Sequence, residues 1–116
     1  MPWQGTYMIR VYHGPDDFVL TVTFLGDDEL RARATRQLKD YHLIAEVSTD
    51  DLDDAYRLTN TIEVPWWSNP GVQFFGSVEH GLKGARSTSV GDILECANKD
   101  RYAIGRIGFV LLAKNS

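Results

Sequence analysis

Imidazole trades protons and binds metals near neutral pH, so the three histidines are the first place to look for chemistry. His13 borders a turn, His42 follows a helix pattern and His80 sits in a glycine-rich stretch, with no His-x-x-x-His pair among them. The lone Cys96 cannot build a structural zinc site, which needs several thiolate or imidazole ligands. Ser87 and Ser89 lack the Gly-x-Ser-x-Gly elbow that presents a nucleophilic serine. Asp50, Asp51, Asp53 and Asp54 lack the glycine turn, alternating ligand spacing and terminal glutamate of a calcium loop, and read instead as a helix cap. Gly105-Arg106-Ile107-Gly108 is not followed by a helix pattern whose N-terminus would hold a phosphate. Glu46 and Glu63 stand alone, with no pattern that brings them together. The expectation is a non-enzymatic chain with no catalytic residue, no metal and no cofactor.

Binding chemistry is better represented. Arg86, Arg101 and Arg106 would form an anion or ligand clamp if the C-terminal strands brought them together, because guanidinium matches phosphate through a planar fork of donors. Arg31, Arg33, Arg36 and Lys39 fall on one side of a helix pattern and make a candidate basic face for phosphate or RNA. In Val64-Pro65-Trp66-Trp67-Ser68-Asn69-Pro70-Gly71, two prolines bracket tandem tryptophans. Adjacent residues of an extended chain point to opposite sides. Trp66, Trp67 and Asn69 are the candidate partner-binding residues, and of the two indoles Trp66 is expected to pack inward and Trp67 to meet the partner, since exposed indoles are frequent binding hot spots.

These residues need a frame. Thr6 to His13 alternates as a strand, Gly14 to Asp17 is a turn, and Phe18 to Leu25 alternates again, which predicts an antiparallel hairpin. Gly26-Asp27-Asp28-Glu29 opens a helix whose Leu30, Ala34, Leu38 and Tyr41 share one face. Leu43 to Val47 is a strand, and the aspartates start a second helix expected to span about twelve residues and reach Asn60 or Thr61. Val72 to Phe75 is a short strand, and Gly76 to Ala85 is a glycine-rich connector. A hairpin turning at Asn98-Lys99-Asp100 ends the chain. The order β-β-α-β-α-β-β-β predicts one compact α+β domain over residues 1–116, with two helices and a mainly antiparallel sheet.

Composition fits that frame. With 43% apolar and 24% charged residues in 116, one hydrophobic core is affordable and two are not. No apolar run approaches the roughly 20 residues of a membrane span. Met1-Pro2-Trp3-Gln4 carries no basic or apolar leader pattern, and a single cysteine suits a reducing compartment, so a cytoplasmic protein is expected. The net charge of −4 is divided unevenly: residues 1–82 hold 13 acids and 6 bases, residues 83–116 hold 3 acids and 6 bases. An excess of acids argues against bulk nucleic-acid binding.

The run Arg86-Ser87-Thr88-Ser89-Val90-Gly91-Asp92, followed by Tyr102 and Gly108-Phe109, resembles a group of small uncharacterised phage and mobile-element proteins with a Ser-x-Ser-Val-Gly-Asp strand entry and a closing Gly-Phe. Leu52 to Asn60 resembles the helix preceding that hairpin, and the matching stretches cover about a third of the chain. The resemblance transfers no catalytic residue. It implies an accessory protein, and with the tryptophan loop and divided charge the leading expectation is a binding protein that engages or inhibits a host protein or defence complex. Two alternatives stand beside it: a binder that sequesters a nucleotide-derived signal, and an RNA or single-stranded DNA module.

Overall fold

The computed structural model describes residues 8–15, 25–61, 63–75 and 86–113. Six strands form one sheet: β1 (Ile9–His13), β2 (His42–Val47), β3 (Val72–Phe74), β4 (Ile93–Glu95), β5 (Arg101–Ile104) and β6 (Phe109–Ala113). Their spatial order is β3-β2-β1-β4-β5-β6 and each neighbouring pair is antiparallel. Among the described residues two α-helices, α1 (Asp27–Arg36) and α2 (Leu52–Leu58), complete the expected α+β fold. No helix among the described residues is long and apolar enough to cross a membrane.

The period-two alternation of the strands gives each face its own core. Ile9, Val11, Ala45, Val47, Leu94 and Ile104 face Ala55 of α2 and Trp66. On the opposite face Ile93, Ala103 and Val110 meet Leu30 and Ala34 of α1, with Tyr41 beside them. The predicted inward face of α1 is therefore the observed one, with Leu38 half-buried in the 3-10 turn Leu38–Asp40 that extends the helix.

Several boundaries differ from expectation. Both edges of β1 are occupied, by β2 and β4, at Arg10 to Tyr12, which leaves no edge there for an N-terminal hairpin; Phe18 to Phe24 lie outside the described residues. Helix α2 stops at Leu58, where the Thr59 backbone leaves the helical region at φ −108° and ψ 15°. Its start is as read: the Asp51 carboxylate accepts from the Asp53 and Asp54 amides, so these aspartates cap a helix. The last strand is split in two. Gly105 N–H donates to the Gly108 carbonyl at 2.9 Å, and Gly108 takes φ +80°, so the segment with no phosphate-loop context is a reversal between β5 and β6.

Candidate binding site

The Arg86-to-Asp92 run folds around its own last residue. Asp92 is fully buried at the entry to β4, where its carboxylate accepts two hydrogen bonds from Arg86, at 2.6 and 2.9 Å. It also accepts from the Gly14 and Ser89 amides at 2.9 and 2.8 Å. The same guanidinium donates to the Gly14 and Ser87 carbonyls. A buried carboxylate is tolerable only when paired and hydrogen-bonded in this way. Gly91 supplies φ +97° for the turn, and its carbonyl accepts from Tyr41. Burial, reinforced by the nearby Asp92 charge, raises the Tyr41 pKa well above its ordinary value.

His13 and Thr88 also belong to this cluster, and with Asp92 they invite comparison with a nucleophilic triad. His13 Nε2 lies 2.8 Å from Thr88 Oγ1 and 3.9 Å from Asp92 Oδ2. A relay needs the nucleophile and the acid on opposite ring nitrogens. Here both face the same nitrogen, and Thr88 is fully buried, with its backbone held by Thr59 and Asn60. This geometry anchors the 86–92 segment to β1 and to the end of α2.

Trp66 joins that anchor to the surface. Pro65, at φ −58°, leads into a 3-10 turn over Trp66–Ser68, so the two indoles do not alternate as in a strand. Trp66 is 1% exposed, its Nε1 donates to the Arg86 carbonyl, and its ring meets His13 and Phe74. The expectation that it packs inward holds, which removes it as a direct partner contact. Trp67 is half-buried, stacked on Phe74 at 5.6 Å and edge-on to Trp66, so it is not the free indole expected. Asn69 is likewise occupied: its amide donates to the Leu58 carbonyl and to Thr61 Oγ1, tying the loop to the end of α2. The residues presented outward are Glu63, Val64 and Pro65, with Val64 47% exposed. Together with Thr61, Trp66, Trp67, Arg86 and Ser87 they line an open cleft of about 410 Å³.

The three C-terminal arginines do not form one clamp. Arg86 is bound to Asp92, and Arg101 donates from Nε to Glu95 at 2.9 Å at the start of β5. Arg106 is exposed in the turn beyond the other end of β5, roughly 16 Å along the chain from Arg101 at strand rise. The basic face of α1 is also partly neutralised. Arg31 pairs with Asp28 and donates to the Leu111 carbonyl of β6, and Arg33 pairs with Glu29, whereas Arg36 and Lys39 are exposed.

One constellation was missed in the sequence. Cross-strand register aligns Glu46, Arg10, Glu95 and Arg101 in a row across β2, β1, β4 and β5. Arg10–Glu46, Arg10–Glu95 and Arg101–Glu95 are ion pairs of 3.0, 3.7 and 2.9 Å. Tyr12 donates to Glu95 as well. The alternation of sign appears only once the strands are paired, so no spacing along the chain could announce it. Cys96 borders this row; burial, with Asp100 and Glu95 nearby, raises its thiol pKa and disfavours the reactive thiolate. Among the described residues no group of three or more His, Cys, Asp and Glu could hold a metal ion.

No protein-family model matches the chain, and no curated protein or solved structure matches it either.

Proposed function

We propose that this chain is a non-enzymatic binding protein whose partner docks in the cleft beside the Trp66–Ser68 turn. The observation that carries this reading is the cleft itself: exposed Val64 and Pro65 on its rim, and a floor of two tryptophans tied to Arg86. A floor anchored by a buried ion pair is preorganised, and preorganisation strengthens binding without adding contacts. Trp67, the half-buried member of the pair, is the aromatic side chain a partner would meet there, and tryptophan is enriched among protein-binding hot spots.

The partner class follows from the resemblance to phage and mobile-element proteins: a host protein or defence complex, engaged or inhibited in the host cytoplasm. The nucleotide and RNA readings have less support, because two of the three clamp arginines are committed to carboxylates and two of the four basic-face residues to acids of their own helix.

The test is a photo-crosslinking side chain placed at Val64, with an identical one at exposed Asp53 on α2 as control, in the full-length chain exposed to host lysate. A discrete adduct at position 64, absent at 53 and abolished by Pro65→Asp in the same bait with unchanged melting temperature, supports the cleft. Equal labelling at both positions, or labelling insensitive to Pro65→Asp, rejects it.

A further inference from the structure

We propose that a small cavity on the α1 side of the sheet, opposite the tryptophan cleft, binds a compact monocarboxylate bearing one aromatic ring or a branched chain. The cavity measures about 110 Å³ and is lined by Tyr12, Leu38, Tyr41, Ile93 and Arg101. Its walls come from β1, β4, β5 and the 3-10 turn that follows α1, all elements of the packed core.

The chemistry of the walls selects the ligand. The Tyr41 hydroxyl donates to the Gly91 carbonyl and the Tyr12 hydroxyl to Glu95, so both hydroxyls are already committed and the rings contribute mainly carbon to the lining. Leu38 and Ile93 add hydrocarbon. Arg101 is the exception. It spends its Nε–H on Glu95, and its terminal nitrogens make no hydrogen bond among the described residues. A half-exposed guanidinium with one edge of its fork open can accept a second carboxylate in bidentate fashion. The combination is an apolar slot with a single cationic donor pair at its rim.

Size narrows the class further. An apolar cavity of roughly 150 Å³ holds benzene, whereas pockets for drug-sized ligands run to about 300–1,000 Å³. This cavity is smaller than the first of these, so a short branched chain enters whole and a ring only in part, with its carboxylate left at the mouth beside Arg101; a nucleotide does not fit. Phosphate is disfavoured for a second reason, since a dianion calls for several converging donors and one arginine edge supplies two.

Benzoate and its neutral isostere benzamide are the probes, titrated into the full chain and followed by NMR at the Leu38 and Ile93 methyl groups and the Tyr12 ring. Saturable shifts at these positions, with a benzoate Kd of about 1 mM and at least tenfold weaker benzamide, are expected for so small a ligand. Arg101→Gln should bring benzoate down to the benzamide level, and Leu38→Trp should fill the slot and remove binding of both. Arg101 lies on the rim, so its variant keeps the test open if Leu38→Trp fails to fold. The proposal is overturned by absence of saturation, by equal affinity for the two probes, by an unaltered Arg101→Gln variant, or by shifts that map elsewhere.

Discussion

Strand β4 carries a carboxylate at each end, and the two are used differently. Asp92, at its entry, is fully buried and accepts from one arginine and two backbone amides. Glu95, at its exit, is 3% exposed but meets two arginines whose own side chains are 37% and 46% exposed. The first ties three separate stretches of chain together: Gly14 after β1, the 86–89 segment and β4 itself. The second aligns side chains of strands already paired through their backbones. Position in the hydrogen-bond network, more than the number of charges, decides what a carboxylate contributes here.

Removing each carboxylate should expose the difference most strongly. Asp92→Ala leaves the Arg86 guanidinium, the buried Gly14 amide and the partly buried Ser89 amide without their acceptor, and breaking a buried pair in this way typically costs about 3–5 kcal/mol. Urea denaturation should show a loss of that size, with Asp92→Asn intermediate because it keeps the shape and part of the acceptor set. A loss under about 1 kcal/mol would put Asp92 on the same footing as an exposed ion pair and dissolve the distinction.

Alkaline titration probes the same contrast through the tyrosines, Tyr41 beside Asp92 and Tyr12 beside Glu95. Burial is the main cause of a raised pKa in both, and the shift at Tyr41 is the larger. A tyrosine whose folded pKa is raised keeps its proton longer in the native state than in the unfolded chain. Its contribution to stability is complete below the unfolded value of about 10 and is lost as pH rises above it. Unfolding free energy should therefore fall above about pH 10, by at most about 1.4 kcal/mol per pH unit for each group. Tyr41→Phe should flatten that slope more than Tyr12→Phe; the reverse order would mean that the tyrosine beside Glu95 is the more desolvated.

The parts of the molecule legible in the sequence are those governed by local periodicity. Leu30, Ala34 and Tyr41 recur at helical spacing and are buried together, and the aspartates before Leu52 cap the helix they precede. Alternation also placed Ile9 and Val11 on one face of β1. What was not legible depends on pairing between distant segments. The partnership of Arg86 with Asp92 lies within one motif, yet its meaning comes from Gly14, 78 residues from Asp92. The tryptophans were read by strand alternation, but Pro65 and the Ser68 side chain, which donates to the Pro65 carbonyl, close a 3-10 turn instead. Three arginines in the C-terminal third suggested a clamp, whereas strand register hands Arg101 to Glu95 and carries Arg106 past the far end of β5.

The row of Glu46, Arg10, Glu95 and Arg101 should be worth measuring as a coupling. In a double-mutant cycle, Arg10→Ala and Glu46→Ala should couple by about 0.2–1 kcal/mol, the range for exposed pairs, and the coupling should shrink in high salt. A value above about 2 kcal/mol would make the row a structural anchor comparable to the Asp92 cluster.

The smallest expected effect concerns the turns on either side of β4, where the same asymmetry recurs in the backbone. Both turns need a residue in the left-handed region, and the buried one uses Gly91 at φ +97° whereas the exposed one uses Lys99 at φ +79°. An L side chain pays roughly 1–2 kcal/mol for that conformation, and glycine escapes the clash at an entropic cost of about 0.5–1 kcal/mol. The difference predicts that Lys99→Gly stabilises the protein by about 0.5 kcal/mol. The turn should keep its closing bonds, Cys96 N–H to the Asp100 carbonyl and Lys99 N–H to the Cys96 carbonyl, since both use backbone atoms that glycine retains. Gly91→Ala should move stability the other way, because it introduces the strain that Lys99 already carries and does so inside the core. Matched thermal melts of the two variants decide the point: opposite signs support a strained exit turn and a relaxed entry turn, and a destabilised Lys99→Gly would show that the lysine side chain contributes more to the β4–β5 hairpin than its backbone conformation costs.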